Sequence, residues 1–518
     1  ARISRGLASG INKLESEYKA YLSGDPQTLD YNPSESDLNS RPEIKAIYKA
    51  FPFESDIVVY NNYPKTITSP HGLDKLPGKT KIFFLSWEDS IYPKAWVDEI
   101  NKNIHGILAI SSFVKKVLIN SGVKIPIEVI NLAVDEKFES NKNQKYPLKT
   151  SKSIKFYHNS TGKKRKGVDI LIRSYYEAFT KNDDVCLVIK TTPTVENEFQ
   201  KILDQNKKSN SPEVEIINID LSDEQMSNLQ NSVDISVYPS RAEGFGLPAF
   251  ESMMFKKPVI ATNYSGLLDF CTDETSYLID YKLVNTDISE LVNPGAKWAE
   301  PNSKHLADLM KEVCKAVKDV KTNVKSEASQ ILNKKLDNAF KLAQSITWQS
   351  SAEKAIQFIK KIENLVKYKD QNYAVLSFYN DETGIADYTQ DLYYSLESSF
   401  GKFYYLSNKD LADRTAKDAP NVIRCWSTGE STFEELLAFV KKENINILHV
   451  QYHSGAMFSA ESLDKLVEKL LKEGVQPILT FHADRGPSFD FIKESKNLNK
   501  WSKTFIHNKF DFEYAKES

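Results

Sequence analysis

The chain has 518 residues, 41% hydrophobic and 27% charged, which predicts roughly three or four compact domains and excludes a disordered or collagen-like polymer. Its 68 Lys and Arg against 70 Asp and Glu give a net charge of −2, so no overall field draws in nucleic acid. With four Cys, no run of about 18 apolar residues and no apolar signal segment in Ala1–Gly6, the sequence reads as a protein of the reducing cytosol, without a spanning helix or a disulfide framework.

In chain order, Gly6-Leu-Ala8 is expected to open a helix running to Leu22 with Leu14 and Tyr18 on its apolar face. Apolar β-rich runs follow at Ile57–Tyr60, Lys81–Leu85 and Ile107–Phe113. Residues 139–153 are polar and contain Pro147, which predicts a linker. Beyond it come strands at Ile154–Tyr157, Val185–Ile189, Asp234–Tyr238 and Pro258–Ala261, with helices at Gly167–Phe179 and Leu306–Val320. A long amphipathic helix is expected from Ile346 to Val366, then a polar break over Lys367–Asn372. The last segment repeats the alternation: strand Ala374–Tyr379, a helix opened by Gly384, strands Asn446–Val450 and Pro477–His482, and a run at Thr504–Phe510. Strands alternating with helices predict α/β domains with doubly wound parallel sheets.

The two ends of the chain resemble each other. Gly6-Leu-Ala8 corresponds to Gly384-Ile-Ala386, residues 56–60 to 446–450, the strand ending at Trp87 to 477–482, and 107–113 to 504–510. Residues 1–137 and 372–518 therefore read as two copies of one domain type, around a domain at 138–345 and a helix with linker at 346–371. The second copy has a strand before Gly384 whose counterpart would precede Ala1, and its last counterpart would follow Ser518. Together with the absence of an initial Met, this makes a fragment cut inside domains at both ends the expectation.

Two strand-end loops carry the chemistry. In Val237–Met254, a strand runs into a loop with Glu243, Gly244 and Gly246, then a helix with Pro248 in its first turn and Glu251 beyond. Glycines allow close approach of main-chain N–H groups, and a helix start favours an anion such as a diphosphate. Glu243 and Glu251 can accept hydrogen bonds from sugar or ribose hydroxyls. Taken alone, the Gly-x-Gly segment is equally compatible with an ordinary connection. The second loop, Tyr157–Ile170, holds four consecutive cations, Lys163–Lys166, suited to neutralising a departing diphosphate.

These elements resemble the retaining, nucleotide-sugar-dependent glycosyltransferases of the GT-B fold marked by E-x7-E, in tandem-module form. The resemblance rests on Glu243–Glu251 with Lys257–Ala261 and Ser265-Gly266, on Arg165–Leu171, on Lys297–Pro301 and on Thr347-Trp348, in the family's order over most of 80–366. It implies that Lys166 and Arg165 hold the diphosphate, that Glu243 and Gly244, Phe245, Gly246 and Leu247 lie beside the donor sugar, and that Glu251 meets the ribose. It implies no metal and no cofactor. Two positions depart from the pattern. Ser160 stands where many members have Arg. Ser86-Trp87-Glu88 stands where many have His, which the second copy keeps as His482. Gly6, Trp87 and Glu88 are thus the acceptor-side candidates, and Gly384 and His482 those of the second module.

The implied activity is sugar transfer from a nucleotide sugar to a glycan or lipid-linked glycan, in surface polysaccharide or glycoconjugate synthesis. It would take place in the cytoplasm or at the inner face of the membrane, with Lys115-Lys116 as a basic face for peripheral contact. A sugar-nucleotide epimerase, and a non-catalytic binding or scaffolding role for 372–518, stay open as alternatives.

Overall fold

A computed structural model of the chain describes residues 2–22, 39, 45–48, 55–61, 73–76, 78–134, 144–193, 196–286, 295–369, 371–380, 383–394, 396–410, 417–453, 456–482 and 495–506. The structure divides into two compact units, Ala1–Ile362 and Glu363–Ser518, with the division inside a helix.

The first unit begins with helix α1 (Arg2–Lys13) and a four-stranded parallel sheet, β1 (Ile57–Tyr60), β2 (Thr80–Leu85), β3 (Gly106–Ala109) and β4 (Ile127–Val129), in that spatial order. Helices α2 (Lys94–Asn103) and α3 (Ser112–Asn120) make the crossovers. The second domain of this unit has β5 (Ile154–Asn159), α4 (Val168–Ala178), β6 (Val185–Lys190), α5 (Glu196–Asn206), β7 (Glu213–Ile217), α6 (Asp223–Ser232), β8 (Ile235–Tyr238), α7 (Leu247–Met254), β9 (Val259–Thr262) and β10 (Tyr277–Ile279). Its sheet order, β7-β6-β5-β8-β9-β10, is the Rossmann order, and every pairing is parallel. All six residues of β6 are buried, as a strand covered by helices on both faces must be. An antiparallel ribbon of β11 (Tyr281–Asn285) and β12 (Lys297–Pro301) follows, then α8 (Ser303–Lys321), α9 (Glu327–Ser345) and α10 (Trp348–Lys367). Phe156, Leu187 and Val237 of the sheet pack with Ile172, Tyr175 and Met310 of the helices in one apolar core.

Helix α10 returns to the first domain. Ser351 Oγ donates to the Asn131 carbonyl at 2.7 Å. At Gly106, a Cβ would sit 2.9 Å from the Phe358 and Ile362 side chains. The long helix expected from Ile346 is therefore present and serves as the crossing element. The helix expected to open at Gly6 instead starts at Arg2 and ends at Lys13. Gly6 lies in its interior, where a Cβ would fall on the Trp348 indole, closer than any real Cβ contact. Its small size is used for helix packing, which corrects the expectation that Gly6 opens the helix; as an acceptor-side candidate it packs on Trp348.

The second unit has β13 (Asn372–Leu376), α11 (Gly384–Tyr394), β14 (Lys402–Asn408), β15 (Val422–Trp426), α12 (Glu434–Lys442), β16 (Ile445–Tyr452), α13 (Ala460–Lys472), β17 (Gln476–Phe481) and β18 (Lys503–Ile506). The order β15-β14-β13-β16-β17-β18 is again the Rossmann order. Leu376, Leu406 and Leu448 pack on one face and Val375, Tyr405 and Ile447 on the other, so the sheet is covered on both sides. Strands β1-β2-β3 are adjacent and parallel, as are β16-β17-β18, the segments paired by the internal repeat. Of the expected linker, the part before Gln144 lies outside the described residues; residues 144–153 form no helix or strand.

Candidate functional site

In the second domain the strand order reverses between β5 and β8, and ligands of such sheets bind at the carboxyl ends of the strands flanking that point. Both motifs are there. A 3-10 turn, Lys164–Lys166, follows β5 and ends at Gly167, whose φ of 69° is left-handed. Any Cβ at Gly167 would fall on the Pro239 carbonyl, so only glycine lets the two strand-end loops touch. The loop after β8 carries Glu243 and ends at Gly246, φ 97°, from which α7 starts with Pro248 in its first turn.

Glu243 is 8% exposed. Its carboxylate accepts from Lys166 Nζ at 2.8 Å on both oxygens, from Ser240 Oγ at 2.8 Å and from Arg165 Nη1 at 3.4 Å. Burial alone would raise its pKa. The Lys166 and Arg165 charges, with the hydrogen bonds from Lys166 and Ser240, outweigh it and hold the carboxyl at about 2. It is an anion at neutral pH. Of the four consecutive cations, Arg165 and Lys166 turn inward, whereas Lys163 and Lys164 are exposed.

A narrow recess, partly open to solvent, lies over these groups; His158, Ser160, Lys166, Ser240, Glu243 and Pro248 are among its walls. Burial pushes the His158 imidazole down to about 4, so the ring is neutral. Its Nδ1 faces the Val237 carbonyl at 2.7 Å, which makes it the protonated nitrogen, and Nε2 accepts from Ser160 Oγ at 2.8 Å. Glu251 is 2% exposed on α7 and is not among the recess's walls; burial, aided by the nearby Glu251 charge, raises the pKa of the Tyr157 and Tyr238 hydroxyls.

The two domains of this unit meet here. Arg165 Nη2 reaches Glu88 Oε1 at 3.3 Å, from the loop after β2. A Cβ on Gly244 would lie 3.0 Å from Ile110 and 3.2 Å from the Trp87 carbonyl. Asp269 accepts from the Ser112 N–H at the start of α3 and from Asn131 Nδ2 at 2.8 Å. Glu88 thus faces the site, while the Trp87 ring is buried against Tyr92 and Trp96, with its N–H donated to the Ile91 carbonyl. Phe245 is also buried, stacked among Phe250 and Phe270, and Leu247 is the first residue of α7.

Three residues of this region carry no signal in the sequence: His158, Asp89 and Arg241. His158 lies near the end of β5, just before the basic loop, and its place in the site rests on its contacts with Val237 and Ser160. Asp89 follows Glu88; burial and the Glu88 charge, opposed by the Ser90 N–H, raise its carboxyl to about 6. Arg241 is fully buried, although it stands two residues before Glu243 in an obvious motif.

In the second unit Gly384 is the first residue of α11, and a Cβ there would meet no atom of the described residues within 4 Å. His482 follows β17, and its Nε2 lies 2.6 Å from Gln451 Oε1, so that nitrogen carries the proton. Among the described residues, no helix is long and apolar enough to cross a membrane.

Residues 139–295 match the family model of the glycosyl transferases group 1. The matched stretch holds Glu243 to Glu251 and the basic loop, and it bears out the glycosyltransferase part of the resemblance read there. A capsular polysaccharide biosynthesis glycosyltransferase, CapM of Staphylococcus aureus, is 26% identical over 36% of this chain and 52% of its own length. An uncharacterized glycosyltransferase, MJ1178 of Methanocaldococcus jannaschii, is 33% identical over 18% of this chain and 26% of its own. The chain thus spans about half, or less, of the length of these relatives. A solved glycosyltransferase from Rickettsia africae is 16% identical, with 70% of this chain and 94% of that one covered, at a TM-score of 0.49.

Proposed function

We propose, from a chain whose residues 139–295 form a group 1 glycosyl transferase domain, that the first unit moves a sugar from a nucleoside-diphosphate sugar to a hydroxyl acceptor with retention at the anomeric carbon. The observation that carries this reading is the convergence of Lys166 and Arg165, at the end of β5, on the ionised Glu243 at the end of β8, above the α7 N-terminus. Donor diphosphate takes up the two cations. They stabilise the negative charge that builds as the bond from sugar to phosphate breaks, where such contacts lower a barrier most. Glu243 then accepts hydrogen bonds from the sugar's hydroxyls. The acceptor oxygen approaches on the face that the phosphate leaves, and its proton passes to a phosphate oxygen, so the nucleoside diphosphate carries it away. The reaction so written uses no metal and no cofactor. Glu251 serves the ribose, and Glu88 the acceptor side.

The second unit we read as the acceptor half of another such module, supported by its Rossmann strand order and by His482 at the end of β17. Surface polysaccharide synthesis in the cytoplasm or at the inner membrane face is the setting, in keeping with the name of the Staphylococcus aureus relative. The test is turnover of a panel of nucleotide sugars with glycan acceptors, with proton NMR of the product. Retained anomeric configuration is expected, with Glu243→Gln losing at least a hundredfold in rate and Glu251→Ala weakening nucleoside diphosphate binding by about 1–3 kcal/mol. Inversion, or conversion of the donor sugar without acceptor, would overturn the reading; the latter would mark an epimerase.

A further inference from the structure

Arg241 is one of the largest fully buried side chains in the protein, and nothing in the reaction just described uses it. A guanidinium has five N–H donors, and every one finds an acceptor. Nε donates to Glu300 Oε2 at 2.6 Å and Nη2 to Glu300 Oε1 at 2.9 Å. Nη1 and Nη2 each donate to one oxygen of Asp169, both at 2.8 Å, and Nη1 also donates to the Lys164 carbonyl at 2.6 Å. The carbon of the fork lies 5.6 Å from the centre of the Trp298 ring. The main chain joins in: Arg241 N–H donates to the Arg165 carbonyl at 2.7 Å, and its own carbonyl accepts from Ala299 N–H at 2.9 Å.

The acceptors come from three separate segments: the 3-10 turn that presents Arg165 and Lys166, the first turn of α4 at Asp169, and β12 at Glu300. Arg241 itself lies on the loop that carries Glu243. Two carboxylates around one cation would leave an excess negative charge, and Arg173 supplies a second cation to Asp169 at 3.3 Å. Burying an arginine with two carboxylates is costly compared with an apolar contact, so stability alone does not explain it; a planar fork fixes geometry.

We propose that Arg241 is a positioning residue: it locks the turn 164–166 against the Glu243 loop, so that Lys166 Nζ stands at a fixed place over the diphosphate, and it ties that turn to the β11–β12 ribbon. This deepens the glycosyltransferase reading and rests on it. Arg241 touches no substrate; it acts through Lys166. Lysine cannot replace it, because one ammonium with three donors cannot span Asp169, Glu300 and the Lys164 carbonyl together.

The experiment compares Arg241→Met, Arg241→Lys, Lys166→Met and the double variant Arg241→Met/Lys166→Met in the full chain. Two readouts are used: kcat and KM with the nucleotide sugar that the wild type turns over, and pulsed acylation of Lys166 followed by mass spectrometry. Arg241→Met and Arg241→Lys should each lower kcat at least thirtyfold with KM changed less than about fivefold, and should raise the Lys166 acylation rate at least fivefold. Once Lys166 is gone, removing Arg241 should cost under threefold more, because the second residue works through the first. Glu300→Gln keeps the acceptor and removes the charge; it gives a smaller change of the same kind if the methionine variant does not fold. Arg241→Lys with wild-type kcat, full multiplicative losses in the double variant, or an unchanged acylation rate would overturn the assignment. The acylation readout requires no activity, so a wild type that turns over no nucleotide sugar refutes the proposed function while still reporting on the clamp.

Discussion

Replacing Lys166 by Met removes the closest cation from Glu243 and leaves a carboxylate that is 8% exposed facing Arg165 at 3.4 Å. In the wild type this carboxyl is held at about 2, against an ordinary value of 4.5. A depressed carboxylate stabilises the fold fully above pH 4.5 and ceases to do so as pH falls from there to about 2. That difference corresponds to about 3 kcal/mol, close to the ~3–5 kcal/mol expected for stripping one partner from a buried pair. In Lys166→Met the largest opposing charge is gone and the carboxyl loses most of its depression. The stability gap between wild type and variant should therefore be nearly nil at pH 2, open as pH rises, and reach about 3 kcal/mol by pH 7. Adding Glu243→Gln to the variant should recover most of the loss, since a neutral amide no longer leaves a buried charge unpaired. The assay is denaturant unfolding followed by tryptophan fluorescence at several pH values. A gap that is constant between pH 3 and pH 7, or a double variant no more stable than the single one, would refute the charge argument.

Gly6→Val should lower the melting temperature through overpacking against Trp348, by about 1–3 kcal/mol, and Trp348→Leu in the same chain should restore part of it; no effect would mean that α1 and α10 do not pack as described. Asp89→Asn should stabilise the first unit by about 1 kcal/mol at pH 7 and by nothing at pH 4. The sign follows because a carboxyl raised to about 6 binds a proton more tightly when folded and loses stability as pH rises from 4 to 6. Melting curves at the two pH values check this, and a stabilisation of equal size at both would refute it.

The strands and crossovers were legible because buried parallel strands are short, continuous apolar runs, such as Val185–Lys190, bounded by polar turns. The pairing of Glu243 with the basic loop was legible for a related reason. In a Rossmann sheet the ends of the first and fourth strands are neighbours, so two motifs 77 residues apart in sequence meet, as Lys166 and Glu243 do. What could not be read were contacts without a local pattern. Gly6 lies inside α1 and packs against Trp348, a residue hundreds of positions away, and no local pattern announces that contact. Arg241 carries its meaning only through Asp169 and Glu300, which arrive from either side in sequence, and a single arginine beside Glu243 looks like an exposed cation until its five acceptors are in place. The elevated carboxyl of Asp89 arises from burial at a domain contact, which no spacing rule encodes.

The return of α10 to the first domain also has a mechanical consequence. A domain joined to its neighbour by one tether can swivel about three axes. The Rossmann domain of the first unit is joined twice, where the chain leaves Val134 and where α10 seats Ser351 on Asn131. Two attachments leave fewer relative rotations open than one tether would. Glu88 and Ser112 stand on one wall of the cleft, and Arg165, the loop at Gly244 and Asp269 on the other. A ligand that bridges Arg165 and Glu88 would then hold together walls that the chain itself already fastens at two places.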